Sequence, residues 1–211
     1  MELHPNPTLL DTLYWITLLA VVVSTASGVL KAGFRQFDLF GVIIIGLATG
    51  LGGGAMRDVL LDRPVFWVAN QAFFIASLAS AIGMFIAARH IRMSPKFFLI
   101  PDAAGLATFA IAGTLATLMW GAPWLIASFM GVMTGIMGGI FRDVLSDDTP
   151  VVFQSPLYAT VSWAGSLCFI GLLYLHADAT LAAIVAGIAM FVARLLAIRH
   201  NITLPKFRFK T

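Results

Sequence analysis

The sequence predicts an all-α membrane protein, with seven transmembrane helices arranged as two inverted three-helix repeats plus one extra helix. Three observations predict it: the composition, the spacing of the apolar runs, and a motif that occurs twice. Of 211 residues, 60% are hydrophobic and 11% charged, and the mean hydropathy is +0.94. Soluble domains carry about 25% charged and about 45–50% apolar residues. The values here therefore exclude an ordinary cytosolic enzyme, a disordered tail and a nucleic-acid-binding module. The net charge of +3, from 13 Lys+Arg against 10 Asp+Glu, reports topology on such a chain rather than a polyanionic partner. One cysteine, Cys168, excludes an internal disulfide and a Cys-rich zinc site. Within its apolar run it reads as a small buried filler.

A membrane helix needs about 20 mostly apolar residues. Runs of that kind cover 9–30, 39–61, 68–88, 102–119, 122–145, 156–175 and 178–198. Polar or turn-forming stretches separate them: Lys31 to Asp38, Asp62-Arg63-Pro64, Arg89 to Pro101 with Arg92, Pro95 and Lys96, Gly121-Ala122-Pro123, Asp147 to Pro156, and His176-Ala177-Asp178. The chain reads as one membrane domain over 1–211, with repeat one at 9–88, repeat two at 102–175 and the extra helix at 178–198. That last helix has no repeat partner and is expected to lie at the periphery.

Loop charges predict the orientation. The side shared by the C-terminus and the loops after spans one, three and five holds Lys31, Arg35, Arg89, Arg92, Lys96, Arg194, Arg199, Lys206, Arg208 and Lys210, whereas the other side holds Arg63. The positive-inside bias places the C-terminus in the cytoplasm and the N-terminus outside. Trp15, Trp67, Trp120 and Trp124 fall near the expected outer boundary. Met1 to Pro5 lacks the basic n-region of a signal peptide, so the first span is expected to direct insertion. The tail Lys206-Phe207-Arg208-Phe209-Lys210 suits a surface of anionic headgroups, or serves only to set topology.

The chain also repeats itself at an offset of 85 residues: ten of the 17 positions in 46–62 are identical to those in 131–147, without a gap. Gly28 with Gly113 and Ser77 with Ser162 extend the match. Each unit has three spans, an odd number, so the second copy enters the membrane in the opposite direction. Inverted repeats of this kind set two equivalent structures about an axis in the membrane plane, where transport pathways sit.

Within each copy the glycines recur every four residues, Gly46, Gly50, Gly54 and Gly131, Gly135, Gly139. That spacing lets helix backbones approach closely. Gly53 and Gly138, with Gly52 in the first copy only, go beyond packing, and each glycine costs roughly 1 kcal/mol in helix propensity relative to alanine. The helices are expected to kink or open there, and carbonyls freed in this way must face protein or a wet cavity. Packing alone is the simpler reading.

Arg57-Asp58 and Arg142-Asp143 follow directly. A central membrane arginine costs about 2.5–3.5 kcal/mol on the insertion scale. Sequence neighbours on a helix diverge by about 100°, which disfavours pairing of Arg57 with Asp58. Cross-pairing of Arg57 with Asp143 and of Arg142 with Asp58 is one arrangement; snorkelling of both arginines to headgroups is the other. The hydroxyls Ser24, Thr25, Ser27, Thr49, Thr134, Ser162 and Ser166 either line a wet path or bond back to their own helices. His4, His90, His176 and His200 stand singly without ligand spacing, and nucleotide-binding, metalloprotease and serine-hydrolase signatures are absent, so no metal, cofactor or enzymatic activity is expected. No isolated acidic residue is evident near the middle of a span.

Seven spans with Gly-Gly-Gly-x-x-Arg-Asp in the second and a cousin in the fifth resemble the prokaryotic TRIC (trimeric intracellular cation) channels, also labelled glycine-transporter-domain proteins. The resemblance implies a homotrimer in a prokaryotic cell (inner) membrane. It implies one potassium-permeable pore per protomer, lined by kinked second and fifth helices and open to K+ or Na+, with lipid bound alongside and no nucleic-acid partner. By position, Gly52, Gly53, Gly54, Arg57 and Asp58 match the first motif, and Gly138, Gly139, Arg142 and Asp143 the second. Met137 stands where the first glycine of the triplet would be. Carbonyls at a broken helix would then replace part of a cation's hydration shell, with the Arg–Asp pairs blunting repulsion and acting as a gate. A secondary transporter of a small solute such as glycine, or a scaffold whose glycines serve assembly, are the rival readings.

Overall fold

In the computed structural model, residues 7–35, 37–90, 94, 96–154 and 157–203 are described, and they are built from helices. His4, Arg92, Pro95, Pro156 and the basic-aromatic tail Lys206 to Lys210 lie outside the described residues. In chain order the helices are α1 (Pro7–Ala32, continued by a 3-10 turn Gly33–Arg35), α2 (Leu39–Leu60), α3 (Phe66–Ala69), α4 (Gln71–His90), α5 (Leu99–Met119), α6 (Trp124–Leu145), α7 (Val151–Gln154), α8 (Tyr158–Tyr174) and α9 (Ala179–His200). Six are long and apolar enough to cross a membrane, and α8 is a shorter apolar helix. Each expected span corresponds to one of these seven. The short α3 and α7 were not expected; they occupy equivalent positions in the two repeats.

Local chemistry sets the ends. Asp38 caps α2 by accepting from the Gly41 N–H at 2.7 Å, and Asp178 caps α9 by accepting from Leu181 at 3.0 Å. The ends of α2 and α6 close alike. Asp62 and Asp147 take positive φ values of 49° and 53°, a conformation that aspartate tolerates better than most residues. The Arg63 N–H then reaches the Asp58 carbonyl at 2.8 Å and the Asp148 N–H that of Asp143 at 2.9 Å, the closure of a Schellman motif. The repeated Asp at 62 and 147 is thus a helix stop.

Two contacts define opposite faces of the bundle. Thr12 meets Thr180 at 2.8 Å where α1 and α9 begin, and Lys31 meets Asp143 at 2.6 Å where α1 and α6 end.

The glycines do something other than open the helices. Both α2 and α6 continue as α-helix through the clusters, so the expected opening of the helix is not found. Glycine's propensity cost is outweighed by what its missing side chain allows. A Cβ on Gly53 would collide with the Thr134 carbonyl, and one on Gly138 with the Thr49 carbonyl. The two helices therefore cross backbone to backbone through a reciprocal pair of contacts. Outside this crossing, Gly28 seats Thr49 and Gly113 seats Thr134, while Gly50 and Gly135 admit the carbonyls of Val21 and Leu106. Gly46 faces Val29 and Thr25, and Gly131 faces Thr114 and Ala110. Gly52 has no glycine counterpart because it makes room for the Phe141 ring.

The last span packs by one face: Ala182, Ala183, Ala186 and Met190 of α9 are buried in one core with Ile111, Leu115 and Phe169, while Ile184, Ile188 and Val192 are exposed. One further expectation is corrected, that for Cys168. Cys168 is exposed rather than a buried filler. An apolar run inside a membrane does not separate the face turned to protein from the face turned to lipid.

Candidate functional site

The repeat buries two arginines, each near the end of its helix. Arg142 is fully enclosed and Arg57 only 3% exposed, which excludes snorkelling to headgroups. Cross-pairing is not found either: each arginine pairs with its own neighbour. Arg57 Nε donates to Asp58 Oδ1 at 2.9 Å and Arg142 Nε to Asp143 Oδ1 at 2.8 Å. The 100° divergence applies to the Cα–Cβ directions, and a three-carbon stem lets the guanidinium turn back across it. The aspartates also serve the backbone. Asp58 Oδ2 accepts from the Phe66 N–H at 2.9 Å and Asp143 Oδ2 from the Val151 N–H at 2.7 Å, which ties the first residues of α3 and α7 to the preceding long helices.

Beyond this shared frame the two sites differ. Arg142 Nη1 donates to Asp102 Oδ1 at 2.6 Å and to Ser27 Oγ at 3.0 Å, and the guanidinium lies 5.1 Å from the Phe98 ring centre. Asp143 also accepts from Lys31 at 2.6 Å, and Lys31 stands 3.5 Å from Asp148. Arg35 donates to the other Asp148 oxygen. Cations and carboxylates therefore alternate from the half-exposed Arg35 through Asp148, Lys31, Asp143 and Arg142 to the buried Asp102. Paired in this way, each charge is compensated where water is scarce.

At its inner end this ladder borders a polar cavity. Ser24, Ser27, Thr49, Asp102, Gly139 and Tyr158 line a space of about 10 Å³, room for about one water. Asp102 Oδ2 faces burial without a hydrogen-bond partner among the described residues. Thr49 and Thr134 bond back to Ile45 and Met130 of their own helices, yet Thr49 still borders the cavity at the helix crossing.

The Arg57 side is larger and less polar. Tyr14, Thr17, Arg57, Arg63, Phe66 and Phe73 line a cavity of about 180 Å³. Behind it Val21, Leu51, Phe73 and Phe109 close an apolar core. Arg63 donates to the Ala116 carbonyl at 3.1 Å.

Sequence reading singled out the arginines and their aspartates but missed Asp102, Lys31, Asp148, Tyr158 and Arg194. Asp102 carried a usable signal, a carboxylate in the first turn of an apolar helix. The others meet only through the fold.

These features define a polytopic membrane protein whose inverted repeat encloses a buried, hydrogen-bonded charge ladder. The family profile described as Glycine transporter matches the chain twice, at residues 14–89 and 99–174, the same 85-residue offset as the motif. Among proteins of known sequence, the UPF0126 inner membrane protein YadS of Escherichia coli K12 is 36% identical over 197 residues, covering 92% of this chain and 95% of that one. A UPF0126 membrane protein of Vibrio cholerae is 36% identical over 206 residues, 96% of this chain and 86% of its own. Among solved structures, the TRIC trimeric intracellular cation channel orthologue from Rhodobacter sphaeroides superposes with a TM-score of 0.85 at 35% identity, covering 90% of this chain and 98% of that one. A prokaryotic TRIC channel in 0.5 M KCl gives 0.82 at 28% identity, covering 91% and 98%. The chain belongs to this prokaryotic TRIC family, the one that the Glycine transporter profile describes.

Proposed function

We propose that the protein is a potassium-permeable channel for monovalent cations, with one pore per protomer running beside the α2–α6 crossing of a homotrimer. It sits in the cell's inner membrane with its N-terminus outside and its C-terminus in the cytoplasm, and lipid fills its outer grooves. The observation that carries this reading is the pair of cavities on opposite faces, each beside a buried Arg–Asp pair and separated by the crossing. The likeness to solved cation channels at 35% and 28% identity supports the choice of ion.

The mechanism differs from one built on broken helices. With α2 and α6 continuous, hydroxyls and carboxylates rather than freed carbonyls replace the hydration shell, on the Ser24, Ser27, Thr49, Asp102 and Tyr158 side. In this reading the protein is closed, with the α2–α6 crossing between the two cavities and Phe73 at the edge of the larger one. Opening separates these elements while Asp58 and Asp143 stay on their arginines and blunt the repulsion of cations.

Purified protein in liposomes tests the proposal. Passive potassium flux that is insensitive to a glycine gradient is expected. Saturable, gradient-coupled glycine uptake, which the family profile's description makes the second reading, overturns the channel, as does the absence of either flux. The polar cavity, with room for about one water, is too small for an amino acid.

A further inference from the structure

The cavity beside Arg57 is the counterpart of the Arg142 site with its carboxylate taken away. At the offset of 85 residues, Phe98, Asp102 and Tyr158 correspond to Leu13, Thr17 and Phe73. The first three stand against Arg142 or the polar cavity next to it, and the second three line the cavity beside Arg57. In repeat two, Arg142 Nη1 donates to the Asp102 carboxylate at 2.6 Å. In repeat one a threonine holds that position, and Arg57 Nη1 is buried without a hydrogen-bond partner among the described residues. We propose that the Arg57 cavity binds a small monovalent anion, chloride being the simplest, which brings from solution the negative charge that Asp102 carries in the other half.

Charge fixes the valence. Asp58 Oδ1 is committed to Nε and Nη2 of Arg57, at 2.9 Å each, and its other oxygen to the Phe66 N–H. Nη1 lies on the opposite edge of the guanidinium, out of reach of that carboxylate. Arg63 lines the same cavity; it donates to the Ala116 carbonyl and forms no ion pair among the described residues. Arg57 and Asp58 cancel, so Arg63 leaves one net positive charge at the cavity. One monovalent anion balances it. A buried charged donor without an acceptor is costly, and charge-assisted hydrogen bonds to an anion are among the stronger ones.

Size and lining fix the rest. The cavity of about 180 Å³ is smaller than the pockets of about 300 Å³ and above that take drug-sized ligands, and it suits a small ion with a few waters. Tyr14 and Thr17 add hydroxyl groups to the wall. No acidic residue lines it, so the ammonium group of a zwitterion such as glycine finds no partner there. The half-buried Arg63 follows the end of α2, which opens the site towards the face that bears Thr12 and Thr180. The proposal holds whichever solute crosses the membrane.

The test uses the purified protein in detergent, at constant ionic strength, in potassium chloride or in potassium gluconate with its bulkier anion. Wild type is expected to show a saturable rise in Tm with chloride, about 3–5 °C at about ten times Kd. Crystals grown in bromide are expected to give an anomalous peak in the cavity beside Arg57 and Arg63. Thr17→Asp installs the carboxylate of repeat two and should abolish both signals. Arg63→Gln removes the net charge and should weaken the apparent chloride affinity about ten-fold. A wild-type crystal without bromide in the cavity overturns the proposal. So does a chloride response that persists unchanged in both variants, which places the ion elsewhere. Glycine that raises Tm in gluconate where chloride does not also overturns it, in favour of a zwitterion. Should neither variant fold, the bromide position in wild type decides alone. None of these measurements reads flux, so a failure of the channel reading in liposomes leaves the anion site standing.

Discussion

The two halves of the bundle share a backbone and differ in nearly everything around it. At the offset of 85 residues, Thr17 corresponds to Asp102, Phe73 to Tyr158, Phe109 to Ser24, Ala116 to Lys31 and Arg63 to Asp148. In each pair the second residue stands at the Arg142 site and the first at or behind the Arg57 site. The identical positions fix geometry: glycines at the crossing, arginine on its neighbouring aspartate, that aspartate on the N–H eight residues on, and a second aspartate to end the helix. The positions that differ set polarity. One half became a charge ladder with a water-sized polar cavity, and the other an aromatic closure.

The largest effect expected from this contrast follows removal of an arginine. Arg142→Met leaves Asp102 without its cation and Asp143 with Lys31 alone, and should destabilise the protein by about 3–5 kcal/mol. Arg57→Met strands one aspartate that retains a backbone N–H, and should cost less than half as much. Thermal unfolding in detergent orders the two, and equal losses would remove the asymmetry. In the alanine forms, Arg57→Ala and Arg142→Ala should alter conductance or gating in planar bilayers, and unchanged currents in both exclude the arginines from conduction.

The crossing tests the symmetric part. Gly53→Ala and Gly138→Ala should lose similar stability, about 1–3 kcal/mol each, because each Cβ meets a carbonyl that cannot yield. Gly83→Ala, with open space around it, should be neutral or slightly stabilising in the same melts. A large difference between Gly53 and Gly138 would show that only one of the two contacts matters. A smaller effect is expected from Phe109→Ser, which gives the Arg57 half the hydroxyl of its counterpart Ser24: a several-fold rise in potassium flux, with no change if that core is not part of the closure.

Much of the fold was legible in the sequence, because seven apolar runs and one gapless repeat leave few alternatives. The short α3 and α7 were not, since four-residue helices held by a distant carboxylate carry no periodicity. Glycine misled in one respect. Its propensity cost suggested an opened helix, but the tertiary gain of a carbonyl-to-glycine contact prevailed over local preference. The arginine partners were misjudged by treating direction at Cβ as direction at the guanidinium. Asp102 and Arg194 escaped notice for a common reason: neither belongs to the repeated motif, and emphasis on identity favours what the copies share over what distinguishes them.

The crossing is self-complementary: what Gly53 offers Thr134, Gly138 offers Thr49. A lone three-helix unit inserted in both directions would already find this contact in a twin of itself, as an isologous antiparallel dimer. Joining the twins in one chain removed the obligation to remain alike, and from that point each face could specialise.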